Sequence, residues 1–490
     1  MPVVKIEIND TTDRYNGTAL ADTITGTNKI DWIYGKGGND ILSGSGNSDR
    51  IFGGSGNDAI SGGPLDSDNA DELNGGSGLD TISLTLGTAN GHKIDGGKDN
   101  DTLRVSSATN LQIDMDVGFI RFINPSSSMS QPTKATFKSI EILYGSTSRD
   151  FIQGSDRADT IFGQKGADEI FGGSKKDTIE GGFGNDKIFG NDGNDWLLDG
   201  SSSVGSNQAI DDQDELRGGN GKDTLISMFS RPTEQDTLVG GIGDDFFYVE
   251  GAPKVRGGEG KDTLFADLSI LGDPNRKPQT QANMNGMDAN GGDGVDSLNF
   301  ARVSANIATA PIKGLEINLK TGSGTDLSSV SFPVAFAVKN FENIIGTKRD
   351  DVLLGNGRKN EISGFGGDDK ILGSGGEDKL LGEGGRDLIR GGDQKDVING
   401  GAGRDELYGG GGLDRFRIGK KEGRDTIFDF DAKGSRTDTL DLREWNLTFK
   451  DLKIFNKGGD AFIEIRSNGT EIVVFDDPIA DQLDKSDFLL

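Results

Sequence analysis

Cysteine is absent from the 490 residues, so no disulfide can hold this fold and no thiol can act as a nucleophile or soft-metal ligand. Histidine occurs once, at His92, which excludes a histidine-rich zinc site and reads as an incidental loop residue. Neither His-Glu-x-x-His nor Gly-x-Ser-x-Gly is present, so a zinc-protease helix and a hydrolase nucleophile elbow are both missing. Proline is sparse, at 11 residues, which argues against collagen and against a proline-rich linker. No run of about 18 apolar residues exists, so no membrane span is expected. Residues 1–10 are polar and lack the basic-then-apolar order of a secretory leader. Positive charge is in deficit: 52 Lys and Arg stand against 80 Asp and Glu, a net charge of −28, which makes nucleic acid a poor partner. Hydrophobic residues reach only 32%, low for an enzyme with a thick core.

What the chain has instead is glycine and aspartate in register. Glycine numbers 78, about twice the usual share. Residues 53–61 read Gly-Gly-x-Gly-x-Asp-x-Ile-x, and the word recurs at 181–189 and 400–408. A fixed short period is the signature of a solenoid. Each part of the word has a physical role. The glycines permit positive φ, so the turn is tight and its carbonyls can point inward. The aspartate supplies a hard oxygen suited to Ca²⁺. The apolar eighth residue sits in a short strand facing inward, and stacked turns build a column of Ile and Leu that no single turn could bury.

The candidate ligands are the sixth-place aspartates. They are Asp22, Asp31, Asp40, Asp49, Asp58, Asp80 and Asp101; then Asp150, Asp159, Asp168, Asp177, Asp186 and Asp195; then Asp223, Asp245, Asp262 and Asp296; and finally Asp351, Asp369, Asp378, Asp387, Asp396, Asp405 and Asp414. Repeated Asp can simply brace turns, but Asn or Ser would serve as well there, and the strong choice of Asp favours a metal. Asn360 breaks the series once and predicts a weaker site; Lys175 and Gln394 replace a turn glycine and raise the same expectation. About fourteen Ca²⁺, half of 28, would cancel the formal charge, so some repeats are expected to be empty or to share ions.

These repeats resemble the RTX, or hemolysin-type calcium-binding, family. The resemblance implies an all-β fold, a right-handed parallel β-roll with multiple Ca²⁺ held between successive turns. Two stretches break the rhythm. Leu111-Gln112-Ile113-Asp114-Met115 and Leu315-Glu316-Ile317-Asn318-Leu319 alternate as strands, and each stretch closes before a fresh repeat block. The expected division is a first roll block at 1–104, a long-coil insert at 105–144, a middle block with loop inserts at 145–311, a second long coil at 312–345, a third block at 346–417, and a C-terminal cap at 418–490. Within the cap, 461–465 and 471–475 read as a hairpin turned at Asn468-Gly469. The end, Ser486-Asp487-Phe488-Leu489-Leu490, resembles the tail of a type I secretion signal.

No stretch free of repeats is large enough for the catalytic or pore-forming region that RTX enzymes and toxins carry. The expected function is therefore non-enzymatic: a secreted, extracellular calcium-binding structural protein of a surface layer, filament or matrix. Its expected partners are calcium ions, the type I secretion machinery, and either further copies of itself or a cell-surface glycan. A soluble adhesin is the first alternative. A polysaccharide-active lyase or epimerase on the flank at 200–345 is the second. The outward ninth-place residues, among them Phe162, Phe171, Phe189, Leu354, Leu372 and Tyr408, fit padding or a self-association face equally.

Overall fold

In a repeat of nine, the inward residue of one word and that of the next fall on opposite walls of a flattened coil, so two words make one turn. The computed structural model shows this arrangement. It describes all residues except 1–3, 10, 64–68, 88, 124–131, 201–212, 231–234, 267–286, 302–312, 327–333, 421, 433–436, 468–470 and 476–478. The chain divides into two compact units, one of Met1–Ser230 with Glu234–Gly243, the other chiefly Asp244–Leu490.

Each unit is a parallel β-roll. In the first, Ile30–Gly37, Arg50–Ser55 and Glu72–Ser77 pair in parallel on one wall, while Ile41–Ser43, Ala59–Ser61 and Thr81–Thr85 pair on the other. In the second, Lys370–Gly375, Leu388–Asp393 and Glu406–Gly411 form one wall and Lys379–Leu381, Val397–Asn399 and Arg415–Arg417 the other. Register follows the apolar eighth residue: Ile161 lies over Ile179 and Ile179 over Leu197. All three are fully buried, as are Ile33, Ile51, Ile371, Ile389 and Leu407. The core is thus two columns of aliphatic side chains, each contributing on the order of 1.5–3 kcal/mol by leaving water.

The long coils are three-stranded antiparallel meanders spliced into a wall. Leu111–Asp114, Phe119–Phe122 and Thr133–Lys138 run antiparallel, with the first strand pairing in parallel to Asp150–Gln153 and the last to His92–Lys98. The second unit repeats the device with Lys313–Asn318, Ser323–Asp326 and Val334–Lys339, joined to Asp350–Leu354 and Asp288–Gly294.

Both chain ends carry antiparallel strands. Val4–Asn9 pairs antiparallel with Thr12–Asn16, an element the polar N-terminus did not announce. At the C-terminus Leu452–Lys457, Asp460–Ile465 and Glu471–Phe475 form a third meander; the Asn468-Gly469 turn lies outside the described residues. The expected secretion tail is built into the roll here, with Phe488 buried and paired to Leu440. Of the loop inserts expected in the middle block, 201–212, 231–234, 267–286 and 302–311 lie outside the described residues.

Candidate metal centre

All twenty-four sixth-place aspartates are buried, none exceeding 8% exposure. The coil brings them together in rows. Along a row the backbone N–H of one aspartate donates to Oδ1 of the aspartate one turn on, at 2.7–2.9 Å from Asp22 through Asp40, Asp58 and Asp80 to Asp101. The same bonds link Asp31 to Asp49; Asp150 to Asp168 and Asp186; and Asp159 to Asp177, Asp195 and Asp223. In the second unit they join Asp245, Asp262 and Asp296; Asp351, Asp369, Asp387 and Asp405; and Asp378, Asp396 and Asp414.

The second oxygen is treated differently. Oδ2 of Asp40, Asp58, Asp168, Asp177, Asp369 and Asp396 is buried without a hydrogen-bond donor. A buried carboxylate oxygen without a donor is costly unless a cation meets it. The first-place glycine lets that oxygen and a backbone carbonyl of the next coil converge. A β-carbon on Gly53 would lie 2.3 Å from Asp58 Oδ2 and 2.5 Å from the Gly75 carbonyl oxygen of the next coil. The same cradle recurs at Gly190 with Asp195 Oδ2 (2.3 Å) and Gly218 O (2.7 Å), and at Gly391 with Asp396 Oδ2 (2.3 Å) and Gly409 O (2.5 Å). Glycine is required there to leave room for two converging oxygens. Among the described residues no three His, Cys, Asp or Glu side chains gather at ligand spacing; the groups that converge in the cradle are a carboxylate and a backbone carbonyl, hard oxygens of the kind calcium takes.

Electrostatics point the same way. Burial pushes Asp168 and Asp369 up to about 9, with the charges of neighbouring ladder aspartates adding to it. Burial likewise takes Asp101 and Asp177 to about 7. Asp150 and Asp351 rise only to about 6, because hydrogen bonds from Ser146 and Thr347 offset their burial. A metal-free row of carboxylates is therefore driven towards protonation, and a divalent ion would remove that drive.

The rows extend beyond the nine-residue count. Asp71, Asp214, Asp236, Asp425 and Asp438 accept the same backbone bond, at 2.7–3.2 Å. Loop insertions displace them from the period, yet each still precedes an apolar residue by two, and that shorter signal would have found them. Glu141 and Glu342 take the rung that ends each row at a long coil, accepting from Asp101 and Asp296 at 3.0 Å. There an arginine supplies the positive charge: Arg157 lies 3.4 Å from Glu141 and Arg358 lies 2.9 Å from Glu342. His92 is not an incidental loop residue. It is buried, 4% exposed, and its Nδ1 accepts from the Asp71 N–H at 3.1 Å, the place an aspartate holds elsewhere. Lys175 and Gln394 both take φ 77°, so their turns keep the backbone form of the glycine they replace.

The outward aromatic residues stack on one another along the coils. Phe171 and Phe189 lie 4.7 Å apart at 7°, Tyr144 and Phe162 4.4 Å apart at 11°, with Arg104 capping Tyr144 at 3.7 Å. Their faces are used by each other and by arginine.

The model of the RTX calcium-binding nonapeptide repeat matches residues 16–64, 144–198, 234–251 and 345–416 in overlapping or adjoining segments. No curated protein matches the chain. Among solved structures, the AlgE6R3 subunit of the Azotobacter vinelandii mannuronan C5-epimerase is 26% identical, with 29% of this chain and 79% of that one covered and a TM-score of 0.21. The extracellular lipase LipA of Serratia marcescens is 15% identical, with 61% of this chain and 45% of that one covered and a TM-score of 0.18. In the four matched stretches the chain carries RTX calcium-binding nonapeptide repeats, and they build its parallel roll.

Proposed function

We propose that Ca²⁺ enters the cradles between coils, that folding is coupled to this uptake, and that the folded chain serves outside the cell as a calcium-dependent structural protein of a surface layer, filament or matrix. The observation that carries this reading is the buried Oδ2 without a donor, facing a carbonyl oxygen across a first-place glycine. Repeated along three blocks, that arrangement is unfavourable without cations and favourable with them. A net charge of −28 keeps the metal-free chain expanded where calcium is scarce, which suits export as a threadable chain through a type I system. Millimolar-range calcium outside then closes the roll. No catalytic role is assigned to any carboxylate, because those buried in the rows are already used as rungs.

Circular dichroism of the full chain with calcium and with a chelator tests the coupling: strand signal is expected only with calcium, and equal strand content in both sinks it. Electron microscopy of the calcium-loaded protein tests the structural role, with ordered sheets or fibres expected; monodisperse particles at all concentrations would count against it.

A further inference from the structure

The rungs are of two kinds, and the backbone four residues before the carboxylate decides which. In the first kind that residue does not have positive φ, and it turns its donors onto the rung. Thr18 donates its N–H and hydroxyl to Asp22 Oδ2 at 2.5 and 3.0 Å, and Thr27 does the same to Asp31 at 2.5 and 3.3 Å. Ser146 donates its N–H to Asp150 Oδ2 at 2.6 Å and its hydroxyl to Oδ1 at 3.0 Å; Ser155 gives both to Asp159 Oδ2, at 2.6 and 2.8 Å. Thr347 donates to Asp351 Oδ2 at 2.6 and 3.0 Å. In the sixth case, Asn356 N–H donates to Asn360 Oδ1 at 2.9 Å while Asn360 Nδ2 reaches the Glu342 carbonyl at 2.7 Å.

In the second kind the same position has positive φ, and the N–H no longer aims at the rung. Gly54, four before Asp58, has φ 114°, and Gly173, four before Asp177, has φ 124°. The hydroxyl is not what matters. Ser374 precedes Asp378 by four, has φ 84°, and leaves Asp378 Oδ2 buried without a donor. Phe365, with φ 74°, precedes Asp369 with the same result.

The closed rungs are not scattered. They are the first two of each block: 22 and 31, 150 and 159, 351 and 360. We propose that these six opening rungs are closed by N–H, hydroxyl and amide donors in place of calcium, and that ion binding begins at the third rung of each block. A cation at Asp22 or Asp351 would meet a donor hydrogen already aimed at the oxygen it needs, whereas at Asp58 or Asp177 it meets a bare one; at Asp159 both Ser155 donors go to Oδ2 and only Oδ1 is left without one. Each block thus starts with a coil's worth of turns that need no metal, a ledge against which the first metal-bearing coil can close. Asn360 fits this scheme: an amide is tolerated at a rung that holds no ion and supplies its own donor to the facing carbonyl.

The inference rests on the reading that the open rungs hold Ca²⁺. Counting bound calcium per full-length chain, by native mass spectrometry after dialysis, tests it. Asp22→Asn, Asp159→Asn and Asp351→Asn are expected to keep the wild-type count; Asp58→Asn, Asp177→Asn and Asp378→Asn are expected to lose at least one ion each. Because the three blocks carry the same arrangement, a variant that fails to fold in one block is read in the other two. Loss of ions in both sets overturns this inference alone. A wild-type chain that takes up no calcium overturns the functional reading and this one with it.

Discussion

The backbone N–H of Asp177 donates to Oδ1 of Asp195 at 2.8 Å, one full coil along the roll. Asp195 Oδ2, in contrast, has no donor and lies in the cradle beside Gly190. A single carboxylate therefore ties one coil to the previous one with one oxygen and offers the other to a cation.

Those two roles separate by substitution. Asp195→Asn keeps an oxygen for the Asp177 N–H and is expected to weaken calcium uptake with modest loss of stability. Asp195→Ala removes both oxygens and leaves a buried N–H unmet, a further cost of about 1–3 kcal/mol. Thermal unfolding in saturating calcium should rank the alanine variant below the asparagine variant; equal midpoints would refute the division of labour.

Gly53→Ala places a methyl 2.3 Å from Asp58 Oδ2 and 2.5 Å from the Gly75 carbonyl. It is expected to abolish ion binding at that rung and lower the calcium-loaded melting temperature. Gly458→Ala, where nothing lies within 4 Å and φ is 72°, meets only backbone strain of about 1–2 kcal/mol. Both variants, compared by calcium titration, should differ in affinity and not merely in stability.

Ile179 is fully buried between Ile161 and Leu197 in one aliphatic column. Ile179→Ala is expected to destabilise the calcium-loaded protein by about 2–5 kcal/mol through lost transfer energy and a cavity. Chemical denaturation in calcium measures it, and a change below about 1 kcal/mol would mean the column is not the core.

Acid is expected to substitute in part for calcium. Burial raises Asp168 and Asp369 to about 9 and Asp101 and Asp177 to about 7, from an ordinary 3.8. A folded-state value above the unfolded one means that the folded chain binds more protons between the two. Metal-free stability is therefore greatest below about 4 and falls as pH rises towards 7–9. In chelator, strand signal should grow as pH is lowered from 8 to 5; in calcium, where the ion holds the carboxylates charged, that window should be flat or reversed. A metal-free chain that loses strand on acidification would contradict the assignment.

Much of this was legible in the residues. The spacing of Asp58 and Ile60 after Gly53 gives the turn, the buried rung and the inward strand, because each depends on contacts repeated at a fixed interval. The alternation in 111–115 and 315–319 likewise gives the strands of the long coils. His92 stands two before the buried Ile94, the offset of a rung aspartate, but its residue type hides it: it shows as a rung only once Asp71, twenty-one residues away, is brought one coil below it. Asp71 and Asp214 were missed for a related reason, since intervening loops shift the count while the coil restores the register.

The period, the chemistry of the rungs and the aliphatic columns follow from which residue recurs at which offset. Which carboxylate oxygens are satisfied depends instead on the folded coil. Thr27 and Ser374 stand in the same place of their repeats, and both carry a hydroxyl. The sign of φ, fixed by how the turn packs on its neighbouring coils, turns the donors of one onto its aspartate and leaves the aspartate after the other bare.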